Sequence, residues 1–146
     1  PNHPKSRGQI TLNSSDPYEY PKILFNYLKE DEDLKQTREC IHVARKILSQ
    51  PALSEHAGKE IGPGSEAQTD DELNEYIKSK ADTAYHPCGT CKMGVDDMAV
   101  VDENLRVKGI KNLRVIDASV IPEIPSANLN APVLMIAEKG SELVLN

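Results

Sequence analysis

The chain has 146 residues, 38% of them hydrophobic, and carries a formal net charge of −6 at pH 7. A single domain of this size buries roughly 70% of its unfolded surface. The absence of Trp, the single Phe and the ten prolines instead favour an incomplete globular unit, either a fragment or one chain of a larger assembly. The sequence contains no stripe of Lys and Arg residues that could bind a nucleic-acid backbone. It also contains no apolar run that approaches the ~20 residues of a membrane span. The start at Pro1, without a methionine, leads us to expect that something upstream has been removed or lies on another chain.

The first elements are a strand and a long helix. Residues 8–13 alternate, with Ile10 and Leu12 on one face, which predicts a half-buried strand. Residues 32–49 have helical periodicity, after an acidic opening at residues 30–33 and before Pro51, which should end the helix. The residues that share its apolar face are Leu34, Ile41, Ala44 and Leu48.

A loop and a second helix follow. Residues 58–68 form a loop around Gly62-Pro63-Gly64-Ser65. Thr69 and Glu72 have the spacing of a capping box, which predicts a helix start at Thr69. Leu73, Tyr76 and Ile77 then supply the apolar face.

Short β-like pieces occupy the region after Gly94, at residues 99–101, 105–107 and 113–116, with a turn at Lys108-Gly109. The last segment, residues 131–145, is predicted to be a helix. Asn130 is a favourable N-cap for it, and Pro132 is tolerated in its first turn.

The stretch YHPCGTCKMG, residues 85–94, concentrates reactive side chains. Cys88 and Cys91 have the spacing of half a zinc site, but the chain has no second such pair and only Cys40 with the adjacent His42 to complete one. A thioredoxin-like dithiol belongs at a strand–helix junction, which the surrounding Pro and Gly do not favour. We therefore expect no metal site, and buried cysteines without a catalytic role.

His86 is the better candidate for chemistry. It lies among Pro, Gly and Thr residues, where backbone can approach a ligand closely. Downstream, Asn128 and Asn130 precede a helix N-terminus, which favours negative charge. A histidine base, an asparagine donor and a helix N-terminus together predict a site that removes a proton.

These residues resemble a known family. From Tyr85 onward the chain strongly resembles the C-terminal portion of the glucose-methanol-choline (GMC) flavin oxidoreductases, through YHPCGTCKMG and AVVDENLRVKGIKNLRVIDASVIPEIPSANLNAPVLMIAEKGSEL. Within the family it looks most similar to the arthropod branch of glucose dehydrogenase-like proteins. PKSRGQITLNSSDP and NYLKEDEDL resemble the same region less specifically.

The resemblance implies a mixed α+β and α/β architecture in two domains, a Rossmann-like flavin-binding domain and a substrate domain with an antiparallel sheet. It assigns residues 1–84 to the substrate domain and connecting helices, and residues 85–146 to the catalytic segment with the flavin-contacting strand and helix. The chain has no G-x-G-x-x-G, the dinucleotide-binding fingerprint. The Rossmann portion is thus expected on a larger partner chain or elsewhere in the same polypeptide.

The active-site residues of the family can be assigned to matching positions in this sequence. The resemblance implies that His86 takes the hydroxyl proton of an alcohol and that Asn128 holds the substrate oxygen. Many members have a second histidine at the position of Asn128, whereas choline-oxidising members have asparagine. The positions implied to contact FAD are Tyr85, Asp117, Ala118, Asn130, Ala131 and Pro132.

The implied function is FAD-dependent oxidation of an alcohol, with small aromatic alcohols, sugars or cyanohydrins as substrates and oxygen or another acceptor reoxidising the flavin. A flavin-containing hydroxynitrile lyase is an alternative within the fold. A thiol-redox or metal-binding module at Cys88 and Cys91 is an alternative from another class. The branch resemblance and the glycosylation sequence Asn13-Ser14-Ser15 imply a secreted glycoprotein.

Overall fold

The computed structural model describes residues 2–145, which divide into two compact units. The first unit contains residues 3–8 and 25–82. The second contains residue 2, residues 9–24 and residues 83–145. Every residue that the sequence assigns to the site, from Tyr85 to Pro132, belongs to the second unit.

The first unit is helical, with α1 (Asp31–Leu48), α2 (Pro51–Ser54) and α3 (Asp70–Lys80). Both predicted helices are confirmed: α1 lies within one residue of its expected bounds, and α3 begins one residue after its expected start at Thr69. As predicted, α1 ends before Pro51, and Pro51 itself begins the short helix α2, which the sequence did not predict. The first helical position suits proline, since its missing N–H has no intrahelical partner there.

Helices α1 and α3 pack against each other. Leu73 and Ile77 of α3 and Leu34 of α1 are buried. The Arg38 guanidinium on α1 donates to Asn74 Oδ1 at 2.6 Å and pairs with Asp70 at 3.3 Å. The predicted apolar face of α1 is only partly covered, because Leu48 is 56% exposed.

The capping box at the start of α3 is present as predicted. Thr69 Oγ1 accepts the Glu72 N–H at 3.3 Å, and the Glu72 carboxylate accepts the N–H groups of Thr69 and Gln68 at 2.8 and 2.9 Å. These amide donors, that of Thr69 first, hold the pKa of Glu72 below its ordinary value.

A single arginine holds the loop of residues 58–68 against α1. The Arg45 guanidinium pairs with the Glu60 carboxylate at 3.0 Å and donates to the carbonyls of Gly64 and Ala67 at 3.0 and 2.9 Å. The predicted loop is therefore ordered by α1, without regular secondary structure of its own.

The second unit contains a two-stranded antiparallel sheet, β1 (Gln9–Thr11) and β2 (Lys22–Leu24), in which Ile10 is opposite Ile23. The predicted strand is confirmed, but its predicted half-burial was wrong. Ile10 is 49% exposed and Leu12 85% exposed, because no part of the described chain covers that face.

The predicted β pieces after Gly94 are present as isolated bridges, which link Met93 to Val101, Val101 to Val107 and Arg106 to Arg114. A 3-10 turn (Ala118–Val120) and helix α4 (Asn130–Leu145) complete the unit. Its core consists of Val101, Leu105, Val120, Ile121, Leu129 and Ile136. Within residues 2–145, none of the helices combines the length and the apolar character that a membrane crossing requires.

Asp33 is the buried carboxylate of the first unit, with 1% of its surface exposed. It accepts the N–H groups of Lys5 and Ser6 at 2.6 and 2.7 Å and so fixes the preceding segment on the start of α1. Burial by itself raises the pKa of Asp33, but the hydrogen bonds from Ser6 and Lys5 and the charge of Arg7 outweigh it, so the pKa is lowered.

We predict that Asp33→Asn destabilises the protein at neutral pH by about 1–3 kcal/mol, because the new NH₂ group faces an amide donor. Because the pKa of Asp33 is lower in the folded state, its carboxylate stabilises the folded protein fully above the unfolded-state pKa of about 3.9. This stabilisation is lost as the pH falls through the folded-state pKa. Urea unfolding should therefore separate variant and native protein at pH 7 and converge in acid. The exposed Asp97→Asn is the control, and equal effects of the two variants at pH 7 would contradict the assignment.

Candidate active site

His86 lies in an irregular segment between α3 and the bridge at Met93. Its side chain is half-buried, and among residues 2–145 it makes no hydrogen bond. The preceding Tyr85 has φ +59°, and its side chain is 76% exposed. A left-handed backbone is uncommon for a residue with a side chain, and such positions cluster at active sites.

Backbone pairing fixes the segment that carries His86. The Cys91 N–H donates to the Ser119 carbonyl at 2.9 Å, and the Met93 N–H donates to the Val120 carbonyl at 2.8 Å. This pairing places YHPCGTCKMG beside the residues that directly follow Asp117. Two parts of the predicted site, about 30 residues apart in sequence, therefore form one structure.

Gly89 allows the close approach of these segments. Its φ is +90°, and a Cβ at this position would lie 3.3 Å from the Ile121 carbonyl oxygen. The sequence suggested that backbone near His86 approaches a ligand. At Gly89 the close neighbour is instead the chain itself, so this glycine has a structural reason to be there.

Asp117 is exposed and N-caps the 3-10 turn, with its Oδ1 accepting the Ser119 N–H at 2.7 Å. One carboxylate oxygen is therefore used to shape the turn. Ala118 is half-buried against the core of the second unit. The predicted Asp-Ala pair thus sits at the turn that presents Ser119 and Val120 to the His86 segment.

The asparagines lie at the start of α4, although one prediction for this end was wrong. The helix begins at Asn130 and not at Ala131, so Asn130 is its first residue and not its N-cap. The first hydrogen bond at this end of α4 runs from the Val133 N–H to the Leu129 carbonyl at 2.9 Å. Pro132 has no N–H to leave unsatisfied, and the early amides of the helix face outward as donors.

Asn128 is exposed, and its amide makes no hydrogen bond within the described residues. The next residue, Leu129, is buried in the same core as Ile121, which contacts Gly89. The structure thus gathers the segments of His86, Asn128 and the α4 N-terminus around one core. An imidazole, a carboxamide and outward N–H groups fit a substrate hydroxyl and a flavin ring that becomes negatively charged on reduction.

The sequence predicts buried cysteines, but no cysteine of the described chain is fully buried. No disulfide joins Cys40, Cys88 or Cys91. Cys88 packs against the hydrophobic core, Cys91 is half-buried, and Cys40 is exposed on α1. Within residues 2–145 no group of three or more His, Cys, Asp or Glu side chains is arranged to hold a metal ion.

Two polar contacts shape the surface of this unit. The Lys92 ammonium lies 2.9 Å from Asp96 Oδ1 and, with that hydrogen bond as the main cause, holds the pKa of the Asp96 carboxyl below its ordinary value. In the hairpin loop, the exposed Asn13 amide donates to the Glu19 carboxylate.

A family model described as GMC oxidoreductase matches residues 4–137. Oxygen-dependent choline dehydrogenase of Escherichia coli is 50% identical over 139 residues, which are 95% of this chain and 25% of that protein. The chain therefore spans about a quarter of the length of the curated relatives it matches.

Solved structures give the same result. Pyridoxine 4-oxidase from Mesorbium loti superposes with a TM-score of 0.89 at 35% identity, over 97% of this chain and 28% of that one. A formate oxidase variant from Aspergillus oryzae RIB40, described for its FAD modification, superposes with a TM-score of 0.86 at 34% identity, over 94% of this chain and 24% of that one. The predicted fold is thereby confirmed, and FAD is confirmed as a cofactor within this group of relatives.

We predict that Gly89→Ala destabilises the protein more than Gly109→Ala does. Both glycines have positive φ, so both variants acquire backbone strain of about 1–2 kcal/mol. Only at position 89 does the new methyl group also press on a carbonyl, because Gly109 has no neighbour within 4 Å. Thermal unfolding of the native protein measures the difference, and equal losses would contradict the close packing at Gly89.

Proposed function

The chain belongs to the GMC oxidoreductase family, and on that premise we propose that the whole protein is an FAD-dependent enzyme that oxidises an alcohol. The catalytic residues that we assign are His86 and Asn128. The dinucleotide-binding portion is proposed to lie outside these residues, which contain no G-x-G-x-x-G.

The observation that carries this proposal is the half-buried imidazole of His86, without a hydrogen bond in the described chain and next to the left-handed Tyr85. A histidine used only for structure would be expected to bond to its neighbours. In the proposed reaction an imidazole nitrogen of His86 accepts the substrate's hydroxyl proton. The Asn128 amide donates to the same oxygen and stabilises its negative charge.

FAD, when bound, supplies the acceptor for the hydride that leaves the carbinol carbon, which completes the oxidation of the alcohol to an aldehyde. The residues that would hold it are Tyr85, Asp117, Ala118, Asn130, Ala131 and Pro132. The positive end of α4 would favour the charge that develops on the ring. Helix-terminal effects of this kind are worth about 0.3–1 kcal/mol when exposed and up to about 2 kcal/mol when partly buried.

For the substrate, we propose choline or another small alcohol with a quaternary ammonium group. The support is the 50% identity to a choline dehydrogenase and the exposed ring of Tyr85 beside the proposed base, because aromatic faces attract such cations. Oxygen or another acceptor would reoxidise the flavin. The assignment to the arthropod branch and the extracellular location remain predictions, supported by sequence resemblance and by the exposed Asn13.

We predict that His86→Ala lowers kcat for the alcohol by about 10²–10⁴-fold, the usual contribution of a general base. Added imidazole should restore part of the rate in His86→Ala, because the vacated space can admit a soluble base. Steady-state kinetics of the purified native protein and the variant measure both effects.

The matched control is the double variant Cys88→Ala/Cys91→Ala. The flavoenzyme proposal predicts that this variant keeps most of the native kcat, whereas a thiol-redox module would lose its activity. A larger loss from the cysteine variant than from His86→Ala would contradict the assignment of His86 as the base.

We also predict that the native protein prefers choline to its uncharged isostere, in which a tert-butyl group replaces the trimethylammonium group. A cation–π contact at Tyr85 favours choline by about 2- to 30-fold in kcat/KM. Tyr85→Leu should remove most of that preference and Tyr85→Phe should keep it, at equal backbone strain. An unchanged preference in Tyr85→Leu would show that Tyr85 does not contact the cation.

A further inference from the structure

The turn of residues 102–114 gathers positive charge in a chain whose net charge is −6. Four cations lie between Glu103 and Asp117, and no acidic residue lies between those two. They are Arg106, Lys108, Lys111 and Arg114. Their spacing in the sequence does not make a stripe, so the sequence pattern gave no signal for this cluster, which forms only when the chain turns back on itself.

The two arginines among these four cations are directly opposite each other. Arg106 and Arg114 form an antiparallel bridge, flanked by hydrogen bonds from Val107 N–H to Leu113 O and from Val115 N–H to Leu105 O, at 2.9 and 3.1 Å. This pattern makes them a non-hydrogen-bonded pair, whose side chains lie on one face at the closest cross-strand separation. Like charges in that arrangement are destabilising.

The two arginines differ in what they bind. The half-buried Arg114 guanidinium donates to the carbonyls of Asn104 and Leu143 at 2.7 and 2.8 Å, so it ties the turn to the end of α4. Arg106 and Lys111 are exposed, and within the described residues their charged groups have no partner. Lys108 is tethered by one hydrogen bond, from Nζ to the Asp96 carbonyl at 3.0 Å.

All four cations line one open cavity of about 750 Å³. Asp102 also lines it, but its Oδ1 accepts the N–H groups of Asn104 and Arg106, both at 2.9 Å. The cavity therefore keeps an excess of positive charge. Its volume exceeds that of a single small anion, and Ile110, Leu113 and Val144 add exposed aliphatic surface to its wall.

We propose that this cavity binds a phosphate group, carried either by a small soluble phosphate compound or by a lipid headgroup. An oxyanion between Arg106 and Arg114 removes their repulsion, and the planar donors of arginine match phosphate in pairs. The neighbouring aliphatic side chains would contact the organic part of the molecule. The site shares no residue with the proposed catalytic centre, so it goes beyond the proposed oxidation of an alcohol.

The test uses the purified native protein and three probes. Inorganic phosphate and pyrophosphate, titrated calorimetrically, represent the soluble source. Sedimentation with phosphatidylcholine vesicles, with and without phosphatidic acid, represents the lipid source. The variants are Arg106→Gln and Lys111→Gln, and the matched control is Lys35→Gln, an exposed cation on α1 without a partner in the described residues.

We expect binding of pyrophosphate, or of vesicles only when they contain phosphatidic acid, and about a tenfold or greater loss in Arg106→Gln. Lys35→Gln should bind as the native protein does, and alcohol oxidation should be unchanged in every variant. Without phosphate, Arg106→Gln should also unfold at a higher temperature than the native protein, because the opposed charge is gone. No binding of any probe, or binding that neither Arg106→Gln nor Lys111→Gln weakens, would overturn the proposal.

Discussion

The backbone pairing of Cys91 and Met93 with Ser119 and Val120 is the constraint on which the candidate site depends. It brings the segment that carries His86 alongside the turn capped by Asp117, and the shared core extends that arrangement to Leu129 and the start of α4. Because Gly89 has no Cβ, the two segments can come this close. An imidazole and the donors of a helix N-terminus can serve one reaction only when the backbone holds them in fixed positions.

The features that the sequence predicted correctly depend on local physics. The capping box of Thr69 and Glu72 forms within four residues, so its spacing alone identifies the start of α3. Helix α1 follows from the periodicity between an acidic first turn and the residues before Pro51. The family was also recognisable, because YHPCGTCKMG and the residues around Asn128 are specific in identity and in order.

The features that the sequence did not predict depend on contacts between distant residues. Ile10 and Leu12 alternate as a half-buried strand would, yet the described chain does not cover them. The prediction of Asn130 as the N-cap was wrong by one residue, because side-chain preference does not determine which residue forms the first intrahelical hydrogen bond. The left-handed conformations of Tyr85 and Leu105 were also not predicted, because neither residue type signals them.

The central claim is that this chain supplies the catalytic base and helix terminus of a flavin-dependent alcohol oxidation. The most direct measurement is the visible absorption spectrum of the purified native protein, recorded without oxygen before and after choline is added. The account predicts oxidised flavin bands that disappear when choline is mixed in and return when an electron acceptor is admitted. A spectrum with flavin bands that neither choline nor any other small alcohol reduces, or one without flavin bands even after FAD is supplied, would contradict it.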